Sequence, residues 1–161
     1  MTSPSEFSTN RVSTAIAMTG VVELPITKLY DEQVPIGSRV GSFGPDHPDF
    51  GDLMFACEES STREASQHSE RPFMLWQWQA KAVELVDQKT QEKARCVRLV
   101  LISHELETMS FASVGASNSL DLLRCMKGDG PYEPPLPVIC KSERTRGGMN
   151  IWRLRIAKKT A

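Results

Sequence analysis

Arg153 and Arg155 flank Leu154 inside the run Lys141 to Lys159, KSERTRGGMNIWRLRIAKK. Guanidinium groups two residues apart on an extended segment share one side and offer paired donors to successive anions, phosphates above all. Further cations stand where neighbouring strands would bring them alongside: Arg98 and Lys141 on strands, Arg144 and Arg146 on a connecting loop, and Lys158 and Lys159 in the tail. Gln77, Gln79 and Lys81 add a polar strand face. A surface that binds a single nucleic-acid strand needs such a row of cations together with aromatic platforms for the bases. Trp76, Trp78 and Trp152 are candidates, although a Trp in an alternating apolar row also reads as core. Phe111 and Tyr132 are the other two, with ordinary packing as their plainer reading.

Other chemistry has less to work with. The segment GPDHPDFGD brings Asp46, His47, Asp49 and Asp52 close in sequence, a set of oxygen and imidazole donors that a divalent ion could use. Its spacing fits neither an EF-hand nor a His-x-x-x-His helix, and turn-forming Asp and Pro explain it as well, so no metal is expected. No phosphate-binding G-x-x-x-x-G-K-[ST] loop, G-x-S-x-G elbow or zinc-spaced His/Cys set occurs. His104 and Glu105 are adjacent, and on a strand adjacent side chains point to opposite faces, which spoils them as a base and its orienting acid. A non-enzymatic protein without cofactors is the expectation.

The elements that must position the cations come next. Met149 to Ala157 alternates as a strand, with Trp152, Leu154 and Ile156 on one side and Ile151, Arg153 and Arg155 on the other. Val138 to Ser142 is its antiparallel partner, joined through Gly147 and Gly148, residues that accept positive φ. Upstream, Phe73 to Val86 shows period two and Arg95 to His104 is apolar and β-branched, which predicts two long strands. A third runs over Met109 to Ala116. A short helix follows, capped by Ser117 or Asn118, favoured by Asp121 in its first turn and ended by Gly128, with Leu120, Leu122, Leu123 and Met126 on its apolar side. Gly130 to Pro137 is then a stiff extended connection.

The first half is different in kind. Residues 1–13 read as a flexible Ser/Thr-rich arm. Residues 14–71 read as an acidic, loop-rich part that packs on the core region 72–159, with weak strands near Val21 to Ile26 and Leu53 to Cys57 and a polar stretch from Glu58 to Arg71. Residues 1–70 carry 4 Lys/Arg against 11 Asp/Glu, a net of −7, and residues 71–161 carry 15 against 9, a net of +6. The whole-chain charge of −1 hides this asymmetry, which suits either a solubilising acidic segment or one that modulates a phosphate-binding basic half. Cys57, Cys96, Cys125 and Cys140 are widely spaced and expected to be free, buried thiols. The apolar run from Thr14 to Val22 is too short for a bilayer and nothing resembles an export signal, so a cytoplasmic protein without membrane contact is expected.

From residue 72 the order is strand, strand, strand, short helix, strand, strand. In this order the chain resembles the OB-fold family, including single-stranded DNA-binding proteins of phages and plasmids. The resemblance covers Phe73 to Lys158 and implies a mostly β protein, a small Greek-key barrel with one short helix between strands 3 and 4 and an N-terminal extension. It implies sequence-tolerant binding of a single nucleic-acid strand, DNA before RNA, in replication or recombination. A homo-oligomer and a protein partner met through the acidic part are compatible with it. The alternatives are a structural or protein-interaction adaptor of a virion or replication complex, and a metal-dependent enzyme using Asp46, His47, Asp49 and Asp52.

Overall fold

The computed structural model describes residues 24–59, 72–144, 146–148 and 150–157, without the side chains at 143, 150 and 151. The arm at 1–13, the first residues of the strand expected over Val21 to Ile26, most of the polar stretch before Pro72, and Lys158 and Lys159 lie outside them; the described end of that expected strand is not extended pairing, since Pro25 caps a 3-10 turn that begins at Ile26. A 3-10 turn, Ile26–Tyr30, opens the described chain. It is followed by β1 (Arg39–Gly41), α1 (Phe50–Glu59), β2 (Phe73–Leu75), β3 (Gln77–Val86), β4 (Lys93–Ile102), β5 (Thr108–Phe111), α2 (Val114–Lys127), β6 (Leu136–Arg144) and β7 (Asn150–Ile156).

The strands form two antiparallel sheets, ordered β1-β3-β4-β5 and β2-β6-β7. Both turn one face to a shared core. Trp78, Ala80 and Ala82 on β3 and Val97, Leu99 and Leu101 on β4 meet Phe73, Leu75, Val138, Cys140 and Leu154 from the second sheet, all buried. Each row follows from period two, because alternate residues of a strand share a face. The expected strand from Phe73 to Val86 is interrupted at Trp76, where the chain leaves one sheet and enters the other.

The closed Greek-key barrel expected from the element order is not formed: the protein is mixed α/β, with two sheets and two helices. Closure would require a ladder between β5 and β7. Among the described residues β5 pairs with β4 alone and spans only four residues, while α2 packs along β7 where that ladder would run.

Further expectations change. Leu53 to Cys57, read as a strand, lies within α1, because Phe50, Leu53, Met54 and Cys57 recur at helical spacing and cover Phe43, Val100 and Ile102 on the outer face of the four-stranded sheet. Helix α2 starts earlier than expected: Ser113 is its cap, accepting from the Ala116 N–H at 3.4 Å, and Met109 to Phe111 alone remains of the third strand beyond Thr108. Gly128 does end α2, at φ +86°, with its N–H on the Arg124 carbonyl at 2.8 Å. Leu120 and Leu123 face the core, whereas Leu122 and Met126 are exposed. Asp121 serves another element, accepting from the Ile26 and Thr27 N–H groups at the start of the 3-10 turn. Cys57, Cys96 and Cys140 are buried free thiols as expected, and Cys125 is exposed. No helix among the described residues is long and apolar enough to cross a membrane.

Candidate nucleic-acid interface

The β6–β7 hairpin has the register that its sequence calls for. Lys141 pairs with Arg153, Ile139 with Arg155 and Cys140 with Leu154. Directly opposed residues share a face, so Lys141, Arg153 and Arg155 stand together on the outer side, all exposed, while Leu154 and Cys140 point into the core. Arg153 and Arg155, two residues apart, are separated along the strand by about 6.8 Å. Met74 on β2 pairs with Pro137 and extends the same outer face with an exposed thioether beside Ile139. At the far end Arg144 and Arg146 are exposed, and Gly148 makes the turn at φ +81°, a conformation that costs glycine little.

The remaining expected residues are elsewhere. Lys81 and Arg98 oppose each other on β3 and β4, on the outer face of the four-stranded sheet. Since both sheets turn their inner faces to one core, their outer faces point away from each other. The single groove expected from the sequence is therefore divided in two. Gln77 and Gln79 belong to the second face and are buried, because α1 and the loop before it cover this end of the sheet. The Gln77 amide lies between Ser42 Oγ at 2.7 Å and His47 Nε2 at 3.2 Å, and the Gln79 side-chain nitrogen meets Met54 Sδ at 3.2 Å. Their polar groups are thus engaged internally.

The aromatic platforms are mostly core. Trp78 is fully buried, donating from Nε1 to the Asp129 carbonyl at 2.9 Å, with the Arg124 guanidinium 4.8 Å above its ring. Phe111 is buried on the inner face, opposite Leu99. Tyr132 is buried too, and its hydroxyl donates to the Gly128 carbonyl at 2.6 Å. Burial, with the nearby Asp129 charge adding to it, pushes that phenol up to about 12. Trp152 is half-buried and packs on the core beside Leu154. For Trp78, Phe111 and Trp152 this follows from the rule that large apolar rings in an alternating strand row turn toward the covered side; Tyr132 lies in the connection before β6 and is held by its bond to Gly128.

Trp76 is the exception, half-buried at the junction between the sheets. His104 stacks on it with centroids 4.4 Å apart and planes at 18°, and His47 meets it edge-on at 5.9 Å. His104 Nε2 in turn lies 3.1 Å from Glu133 Oε1. One ring face that a base would need is already taken by an imidazole. This cluster joins four separate segments and was invisible in the sequence, where its members are tens of residues apart.

Near it, Asp49 donates its backbone N–H to His47 Nδ1 at 3.0 Å, an arrangement that shapes the turn. Among the described residues no three His, Cys, Asp or Glu side chains converge as a metal site.

Comparison of the chain with known protein families, characterised proteins and solved structures finds no match.

Proposed function

We propose that the chain binds single-stranded nucleic acid through the outer face of the β6–β7 hairpin, as a non-enzymatic protein acting mainly on the phosphate backbone. The observation that carries this reading is the pairing of Lys141 with Arg153 and the placement of Arg155 beside them on one exposed surface. Cations spaced along a flat strand suit a chain that can extend over them, and Met74 and Ile139 supply apolar ground for unstacked bases on the same face. With Trp78, Phe111 and Tyr132 in the core, stacking contributes less than the sequence suggested and charge contributes more. Binding of this kind is tolerant of sequence and weakens with salt.

The test is fluorescence anisotropy with labelled single-stranded and duplex DNA and RNA at several salt concentrations. Salt-sensitive binding that prefers single strands supports the reading. No binding at low salt overturns it and favours an adaptor that meets a protein instead, for which the exposed Leu122 and Met126 on α2 would be the first surface to probe.

A further inference from the structure

The junction between the sheets presents a flat aromatic surface that the hairpin face lacks. Met74 and Trp76 stand on either side of the fully buried Leu75, so both turn away from the core, about 6.8 Å apart along an extended chain. Trp76 is therefore next in line after Met74 at the end of the hairpin sheet's outer face, on the rim where the other sheet begins. Its own ring is occupied. It packs on the cluster of Phe43, Val100 and Ile102, meets His47 edge-on and carries His104 on one face. The surface it offers outward is that of His104.

The pose of the imidazole is defined from two directions. Its ring lies 4.4 Å from that of Trp76 with the planes at 18°, and its Nε2 lies 3.1 Å from Glu133 Oε1. The backbone beneath it is closed into a turn by the Ser103 N–H on the Glu107 carbonyl at 2.9 Å. One ring face and one edge are thereby taken, yet 38 % of the side chain is exposed; the open part is the face turned away from Trp76, with the Nδ1 edge. A ring already fixed in this way loses little further freedom when a planar ligand settles on it, the cost that weakens contacts with free surface side chains. Imidazole stacks with unstacked bases as the larger aromatic rings do.

We infer that the open face of His104 is a stacking platform for one nucleobase, with Trp76 supporting the ring from behind and Glu133 holding its edge. The inference rests on the hairpin reading for the course of the strand: phosphates track β7, and bases reach over Ile139 and Met74 toward the rim. The charges agree with this polarity. Lys141, Arg153 and Arg155 lie on the hairpin, whereas Glu133 sets a carboxylate at the rim, which repels a phosphate and tolerates a neutral base. A duplex keeps its bases stacked inside and cannot use the platform, so the site also favours single strands.

Two titrations of the full chain test it. The first uses adenosine, which carries a base and no phosphate, followed by side-chain NMR. The platform predicts ring-current shifts centred on the His104 imidazole and the Trp76 indole; the Trp76 shift is lost in His104→Ala and kept in His104→Phe. The second compares two single-stranded DNA oligomers of equal length and charge, one with all its bases and one wholly abasic. His104→Ala should weaken the base-bearing strand about fivefold to hundredfold, the worth of one stacked base, while the abasic strand and the salt slope stay unchanged. A merely structural role for the ring would weaken both strands alike. Equal weakening of both, no weakening of either, or adenosine shifts that are absent or spread over all surface rings overturns the platform, and strand binding that persists then leaves the hairpin reading in place. Adenosine shifts centred on His104 without strand binding support the platform and overturn the hairpin reading.

Discussion

The Asp121 carboxylate on α2 accepts the backbone N–H of Ile26 at 2.8 Å, so a helix side chain caps a turn 95 residues away in sequence. The same carboxylate accepts from Thr27 and pairs with Arg124 at 3.0 Å, whose side chain is almost wholly buried and also bonds Asp129 and the Leu24 carbonyl. Asp121→Ala leaves two N–H groups without their acceptor and a buried guanidinium short of charge. It should cost about 2–3 kcal/mol, read as a lower midpoint in urea unfolding at unchanged slope.

Removing both outward arginines of β7 tests the proposed interface, since Arg153 and Arg155 are exposed on its face. With Arg153→Ala and Arg155→Ala combined, the slope of log affinity against log salt should become shallower by about 1.4, two single-strand phosphate contacts at about 0.7 each. An unchanged slope in a variant whose circular dichroism is native assigns binding, if any, to another surface.

The stack of His104 on Trp76 predicts a local effect that the hairpin variants lack. His104→Ala should lower stability by about 0.5–1.5 kcal/mol, the worth of an aromatic pair, and alter tryptophan emission in the folded state. The emission change should vanish when His104→Ala is made on a Trp76→Phe background.

Cysteine chemistry offers a direct check on burial. Desolvation pushes the Cys57 and Cys140 thiols up to about 12 and raises Cys96 as well, whereas Cys125 is on the surface. A thiol reagent at neutral pH should modify Cys125 fast in the folded protein and all four cysteines after denaturation. Fast modification of Cys57 would contradict the seating of α1 on the sheet.

The ion pairs of Glu58 should appear in the acid limb of stability. Burial opposes its charge and the Lys81, Arg39 and Arg98 cations outweigh burial, so its folded pKa lies below the usual 4.5. Its contribution is therefore fully present above 4.5 and disappears as pH falls through the depressed folded value. The stability gap between the natural sequence and Glu58→Gln should narrow over that acid range and stay constant at neutral pH; a gap that persists below it would remove Glu58 as the cause.

Much of the β structure could be read from alternation alone. Trp78, Ala80 and Ala82 on β3, and Leu154 between Arg153 and Arg155 on β7, sit on the faces that period two assigns. Alternation says which residues share a side, not which side another element will cover. Gln77 and Gln79 looked like a solvent-facing polar row because the helix that buries them, α1, was read as a strand from its apolar residues, although Phe50, Leu53, Met54 and Cys57 carry a helical period. Placing Lys81 and Arg98 beside Arg153 failed for a long-range reason. A barrel would have bent both hairpins around one groove, and the short β5 with α2 along β7 left two sheets instead. Arg39 escaped notice because a three-residue strand has too little pattern to reveal it.

The passage of the chain through Trp76 has a consequence for anything long enough to reach both basic faces. Trp76 donates its N–H to the Ile102 carbonyl and accepts at its own carbonyl from Tyr132, so the junction is tied to its neighbours on both sides. Swinging the sheets toward each other around it would also disrupt the core that they share. A polymer touching both faces must do the bending itself and wrap the rim of the protein, so its own stiffness becomes the selector: pliant strands could make the circuit, and a rigid duplex of the same charge could not.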